Sequence, residues 1–256
     1  MSKLRAVLFD LAGTICDKYS VAPALAFKRT FQKRGLNVGM KTIRAYMGLS
    51  KMDHIKKILE EKHVEREWAN LYGYAPGKQD EENLYHEFLT NQTITLERNS
   101  ELIFGAKSVF YQLRSRDIRI GATTGYSEEI VNILEPMLNA QGLHFDFLVT
   151  SSDVENGRPH PDMIFKNTEF FGICDPKSVL IVDDSNVGIE AGKRAGVHTA
   201  GVYKFSNHVG IDSKWHEAAI TRKLLRAKRQ NSFKKLKEAQ ADFVIPSVSD
   251  LFDIID

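Results

Sequence analysis

Residues 6–14 read AVLFDLAGT, an apolar run that stops at an aspartate and a glycine-bearing turn. A short apolar run without polar alternation is the mark of a strand buried on both faces. Comparable runs follow at 118–123 (IRIGAT), 145–149, 179–182, 199–203 and 243–245. Helical patterns separate most of them, as in a parallel sheet covered on both sides. Between residues 20 and 99 the strand pattern disappears. Helical periodicity runs instead through 22–33, 41–46, 51–61, a segment around Trp68, and 81–96. The expected fold is therefore α/β. A Rossmann-like parallel sheet core is formed by residues 1–19 and 100–256, and 20–99 are an inserted all-helical cap domain.

Composition narrows the function classes. The 256 residues leave room for one large domain carrying an insertion. Hydrophobic residues at 43% and charged residues at 27% exclude a disordered chain. The net charge of +2 gives no reason to expect nucleic acid or a membrane surface as a partner. No apolar stretch approaches the ~20 residues that span a bilayer. The N-terminus reads as a strand rather than a signal peptide, so a cytoplasmic location is expected. Cys16 and Cys174 are too few for a disulfide scaffold and are expected as buried free thiols. The basic stretch 222–238 (RKLLRAKRQNSFKKLKE) is expected to be a solvated helix with Leu224, Leu225, Phe233 and Leu236 turned inward.

Open α/β sheets bind ligands at the carboxyl ends of their strands. The first strand leaves Asp10 there, and the second leaves Thr123 and Thr124 in ATTGYS. The third is followed by Arg158 in NGRPHPD, and the fourth leaves Asp183 and Asp184 in VDDSNVG. Carboxylates are hard oxygen ligands for Mg²⁺, and a hydroxyl with a cation holds phosphate oxygens. The Gly13–Thr14 turn is expected to lead backbone N–H groups toward the anion. One carboxylate remains as a nucleophile for phosphoryl transfer. Each piece alone is ordinary, an aspartate before a helix being usually a cap. Their order and strand-end placement together are not.

These motifs resemble those of the haloacid dehalogenase superfamily over nearly the whole chain. The resemblance implies Asp10 as nucleophile, the Ala12 carbonyl and Asp184 as further Mg²⁺ ligands, and Thr124 as a phosphate contact. Most phosphatases of that superfamily have a second aspartate two residues after the nucleophile, acting as general acid and base. Here it is Ala12. Alanine transfers no proton, and losing such a group removes ~10²- to 10⁴-fold of rate. Either the site is inactive, or another residue moves the proton, or the leaving group is not an oxygen.

The last reading leads to the phosphonoacetaldehyde hydrolases (phosphonatases), whose first motif resembles FDLAGT in carrying alanine at that place. MGLSKMDHI at 47–55 is similar to the cap segment holding their Schiff-base lysine. The resemblance then implies Lys51 as that lysine, with Met47 and His54 close by. It also places Gly125 and Tyr126 of TTGYS, and Arg158, at the substrate. His54 follows Lys51 by one helical turn and is a candidate proton relay. Two positions depart from the phosphonatase pattern. Leu11 stands where tryptophan is usual, and Gly188 stands where a second aspartate is usual, which shifts metal ligation toward Asp183. The implied activity is Mg²⁺-dependent hydrolysis of the C–P bond of phosphonoacetaldehyde by a homodimer. The alternatives are a phosphatase acting on a small phosphate ester, and a catalytically poor binding protein that kept the fold.

Overall fold

The structure is a computed structural model and describes residues 4–255. Six parallel strands form one sheet in the order β3-β2-β1-β4-β5-β6. They are β1 (Ala6–Phe9), β2 (Arg119–Thr123), β3 (Phe147–Val149), β4 (Val179–Asp183), β5 (His198–Val202) and β6 (Phe243–Ile245). Every residue of β1 and β4 is buried, as their unbroken apolar sequences require. The strand order runs outward from β1 in both directions, which opens a crevice at the carboxyl ends of β1 and β4. Phe9 is in register with Ala122 and with Val182, so Asp10, Thr123 and Asp183 leave the sheet side by side.

Five helices follow β1: α1 (Val21–Lys33), α2 (Met40–Ala45), α3 (Lys51–Leu59), α4 (Lys62–Tyr72) and α5 (Lys78–Asn99). The long α5 packs along α1 and α3. Phe27 and Phe88 stack there at 4.3 Å between ring centres, and Trp68 is buried with them. The remaining helices belong to the sheet. They are α6 (Ala106–Ser115), α7 (Glu128–Ala140), α8 (Asp162–Phe170), α9 (Asn186–Ala195), α10 (Lys214–Ala219), α11 (Arg222–Glu238) and α12 (Phe252–Ile255). Helix boundaries fall within a few residues of expectation, and capping side chains decide the difference. The Ser50 hydroxyl accepts the Asp53 N–H at 3.1 Å and starts α3 at Lys51. The Asp80 carboxylate accepts the Gly77 N–H and starts α5 at Lys78, ahead of residue 81.

Two sequence expectations need correction. Cys16 is buried beside β1, but Cys174 is exposed. On α11 Leu236 is buried and Leu225 and Phe233 are half-buried, whereas Leu224 is 50% exposed. At about 100° per residue Leu225, Phe233 and Leu236 fall on one stripe, and Leu224 lies about 100° outside it on the far side. Among the described residues no helix is long and apolar enough to cross a membrane.

Candidate active site

The carboxyl ends of β1 and β4 gather three buried carboxylates, Asp10, Asp183 and Asp184. Arg158 reaches them from the loop before α8. Its Nη1 donates to Asp10 Oδ1 at 2.8 Å, and its Nη2 donates to the Thr123 carbonyl and hydroxyl at 2.6 and 2.7 Å. The same Nη2 lies 3.1 Å from Asp183 Oδ2. Asp183 turns its other oxygen to the Ser185 N–H and hydroxyl. Asp184 Oδ2 accepts the Asn207 N–H at 2.6 Å. The Thr124 hydroxyl oxygen accepts the Tyr126 N–H, which leaves its proton free for an oxygen in the cavity. The Gly13 and Thr14 N–H groups do not point outward as expected. They close the turn on the Cys16 and Leu11 carbonyls.

The helical block contributes from above, through the segment joining α2 to α3. Gly48 has φ +100°, and a side chain there would strike Ser185 and Val187. Gly125 lies so close beneath that a Cβ would meet the Leu49 and Gly48 carbonyls. Two glycines thus let the backbones of the two parts touch. That contact delivers the first residue of α3, Lys51, into the site. Its amine has no hydrogen bond or ion pair among the described residues and lies 4.9 Å from the centre of the Tyr126 ring. Burial, with a further push from Arg158, outweighs Asp10 and Asp184 and lowers the amine's pKa to about 8.

His54 lies a turn further along α3, packed on Phe27 at 3.9 Å between ring centres. Its Nε2 donates to the Ile43 carbonyl at 2.7 Å, and Nδ1 has no partner. Burial and the Lys51 charge keep the ring neutral, well below its ordinary pKa. A cavity with a volume of about 20 Å³ is lined by Asp10, Ala12, Met47, Lys51, Thr124, Gly125, Tyr126 and Asp184 from the expected set. Arg158, Asp183 and His54 are not part of that lining.

The family model of haloacid dehalogenase-like hydrolases matches residues 7–202. A phosphonoacetaldehyde hydrolase of Paraburkholderia phytofirmans is 37% identical over 255 residues, covering 100% of this chain and 95% of the relative. The chain belongs to the phosphonoacetaldehyde hydrolase family. A bifunctional phosphonoacetaldehyde hydrolase/aminoethylphosphonate transaminase of Clostridioides difficile is also 37% identical over 99% of this chain, which spans only 40% of that relative. A solved phosphonoacetaldehyde hydrolase-like protein from Oleispira antarctica shares 33% identity and superposes with a TM-score of 0.95 over 99% of this chain and 92% of its own.

As a member of this hydrolase family the chain should hold a divalent metal, and the donor set fits one. Asp10, Asp183 and Asp184 each bring an oxygen within 4.8 Å of the others. Among the described residues only Arg158 forms ion pairs with them. Burial and mutual repulsion raise Asp10 to about 6 and Asp184 well above the usual carboxylate range. A hard dication relieves that repulsion. The departure at Gly188 also has a physical reason, since a side chain there would collide with the Asp183 carboxylate.

Several residues at the site were not singled out from sequence. The Ser20 hydroxyl donates to the Ala12 carbonyl at 3.1 Å, and Ser20, Pro23 and Gly48 complete the cavity wall. Ser206 and Asn207 hold Asp184. Serines, prolines and asparagines near turns carry no local signal that separates these contacts from ordinary loop chemistry.

Proposed function

We propose that this enzyme cleaves the C–P bond of phosphonoacetaldehyde, giving acetaldehyde and phosphate. The observation that carries the reading is Lys51, a buried amine without a hydrogen-bond partner that shares one small cavity with Asp10 and Asp184. Ala12 lines the same cavity where the usual general acid would stand.

A neutral amine attacks the substrate aldehyde, and uptake of one proton with loss of water leaves an iminium on Lys51. The Asp10 carboxylate attacks phosphorus. The C–P electron pair moves into the iminium, so the departing carbon becomes a neutral enamine rather than a carbanion. Water then attacks the aspartyl-phosphate, frees phosphate and restores Asp10. The enamine is protonated on carbon to the iminium, whose hydrolysis releases acetaldehyde, a proton and the neutral Lys51 amine.

Arg158 and the Thr124 hydroxyl would hold phosphoryl oxygens in this reading, supported by the Arg158 bond to Asp10 and the free Thr124 proton, with the unpartnered Tyr126 hydroxyl as a further donor. Met47 packs against the two-carbon fragment, and the Gly125 backbone lets the lid close over it. His54 is proposed as the proton relay. The support is its free Nδ1 and the influence of the Lys51 charge on its ring. Mg²⁺, held by Asp10, the Ala12 carbonyl and Asp184, neutralises phosphoryl charge when bound. Asp183 holds Arg158 and Ser185 and would add a further oxygen to the metal, directly or through water.

Residues 20–99 act as the cap in this reading, and the small cavity is its closed state. A homodimer through the cap is supported by the exposed Leu71, Tyr72 and Tyr74 at the end of α4. A cytoplasmic location belongs to the same proposal. The test is product analysis of the purified chain with Mg²⁺. Acetaldehyde and phosphate should form one to one from phosphonoacetaldehyde, and phosphate esters should turn over poorly. Efficient ester hydrolysis with no acetaldehyde would leave an ordinary phosphatase.

A further inference from the structure

Arg44, on α2, is buried where the helical block meets the sheet domain. Its Nε donates to Asp212 Oδ1 at 3.0 Å, and its Nη2 to the Ile211 carbonyl at 2.6 Å. Its Nη1 donates to the Tyr19 carbonyl at 2.6 Å and to Asn207 Oδ1 at 2.8 Å. Asn207 Nδ2 donates back to the Arg44 carbonyl at 3.0 Å. The Asn207 amide is thus gripped at both its oxygen and its nitrogen by one residue of the helical block.

The grip leads to the carboxylates. The Asn207 backbone N–H donates to Asp184 Oδ2 at 2.6 Å, and the neighbouring Ser206 hydroxyl donates to the Asp184 carbonyl at 2.9 Å. Neither Arg44 nor Asn207 lines the cavity. Arg44 also holds the chain where it enters the helical block. Asp17, Tyr19 and Ser20 there are non-glycine residues with φ of 44°, 68° and 51°. Such a run persists only where surrounding contacts enforce it. The Tyr19 N–H bond to Phe205 at 2.6 Å and the Arg44 bond to the Tyr19 carbonyl are two of those contacts.

We propose that Arg44 is a positioning residue. By docking the helical block onto the loop at 206–212 it fixes Asn207, and through Asn207 it sets the Asp184 carboxylate for the metal. Metal affinity and cap closure are then linked, and each strengthens the other by the same factor. The inference rests on Asp184 being a metal ligand and not on the identity of the substrate.

The test uses the full chain and Mg²⁺ alone, read as the rise in Tm with Mg²⁺ concentration, and then as the Mg²⁺ concentration giving half-maximal turnover. Asn207→Ala is the decisive variant. It keeps the backbone N–H that touches Asp184 and removes only the amide held by Arg44. Arg44→Lys keeps the charge but cannot serve the Tyr19, Asn207 and Ile211 acceptors together, and it is milder than truncation of a buried cation. Both variants should need about tenfold more Mg²⁺, and saturating Mg²⁺ should restore most of kcat. The double variant should be no worse than the weaker single one, because both break one chain of contacts. Folded variants with wild-type Mg²⁺ dependence would overturn the proposal, as would losses that multiply in the double variant. Should the C–P reading fail, the wild-type chain would give no acetaldehyde, while the thermal titration would still separate the variants.

Discussion

Asp10 and Lys51 are both buried ionisable groups facing one cavity, and the protein surrounds them in opposite ways. Burial drives each toward neutrality, Asp10 up to about 6 and Lys51 down to about 8. What differs is the company. Asp10 is paired with Arg158, which is itself fixed by Thr123 and Asp183. Lys51 makes no hydrogen bond or ion pair among the described residues, and its amine lies 4.9 Å from the centre of the Tyr126 ring. The sheet side is built to keep charges, and a dication completes it. The helical side is built to weaken one. A nucleophile that is anionic above about pH 6 and an amine that gives up its proton near pH 8 can therefore coexist in one cavity.

The contrast can be broken from either side. Asp10→Asn should lower turnover by on the order of 10⁴-fold or more, since no other carboxylate replaces the nucleophile. Its Lys51 should still react with aldehyde. Loss of both functions in a folded Asp10→Asn protein would show that the two regions are not separable. Lys51→Arg keeps a cation but cannot form an imine, and turnover should fall by roughly 10³-fold. The stabilisation by Mg²⁺ and inorganic phosphate, measured as a rise in Tm, should survive in that variant.

Gly125→Ala tests whether contact between the two regions matters in itself. The added methyl meets the Leu49 carbonyl, so the lid must sit back and carry Lys51 with it. A displacement near 1 Å costs kcat/KM about 10²-fold, with little change in the thermal stability of the sheet domain. The smallest effect concerns pH. A lysine whose pKa is lowered to about 8 gains neutral amine about tenfold per unit as pH rises toward 8, and then levels off. The initial rate of imine formation with acetaldehyde should follow that curve. An ordinary lysine would keep gaining to beyond pH 10 (about 10.4).

Much of this arrangement was legible in the sequence, for particular reasons. The apolar runs ending in Asp10, Thr123 and Asp183 follow from burial on both faces, and burial leaves a compositional trace. Arg158 was marked by its place after the third strand, whereas Lys51 and Tyr126 were reachable only because their segments resemble a known family. Periodicity alone would have left Lys51 as a helix-start residue in solvent. Arg44 was not legible at all. It is one arginine in a six-residue helix, and Asn207 lies 163 residues further on. Nothing local distinguishes it from a solvated side chain. Leu224 failed for a simpler reason, that its angle to the stripe of Leu225, Phe233 and Leu236 was not counted.

The claim that a lid amine, rather than an acid beside the nucleophile, releases the departing fragment is tested most directly by reductive trapping. The chain is incubated with phosphonoacetaldehyde or acetaldehyde and borohydride, digested, and mapped by mass spectrometry. A two-carbon adduct on Lys51, absent from Lys51→Arg, is the expected result. An unmodified Lys51 in an enzyme that still releases phosphate from phosphonoacetaldehyde would contradict it.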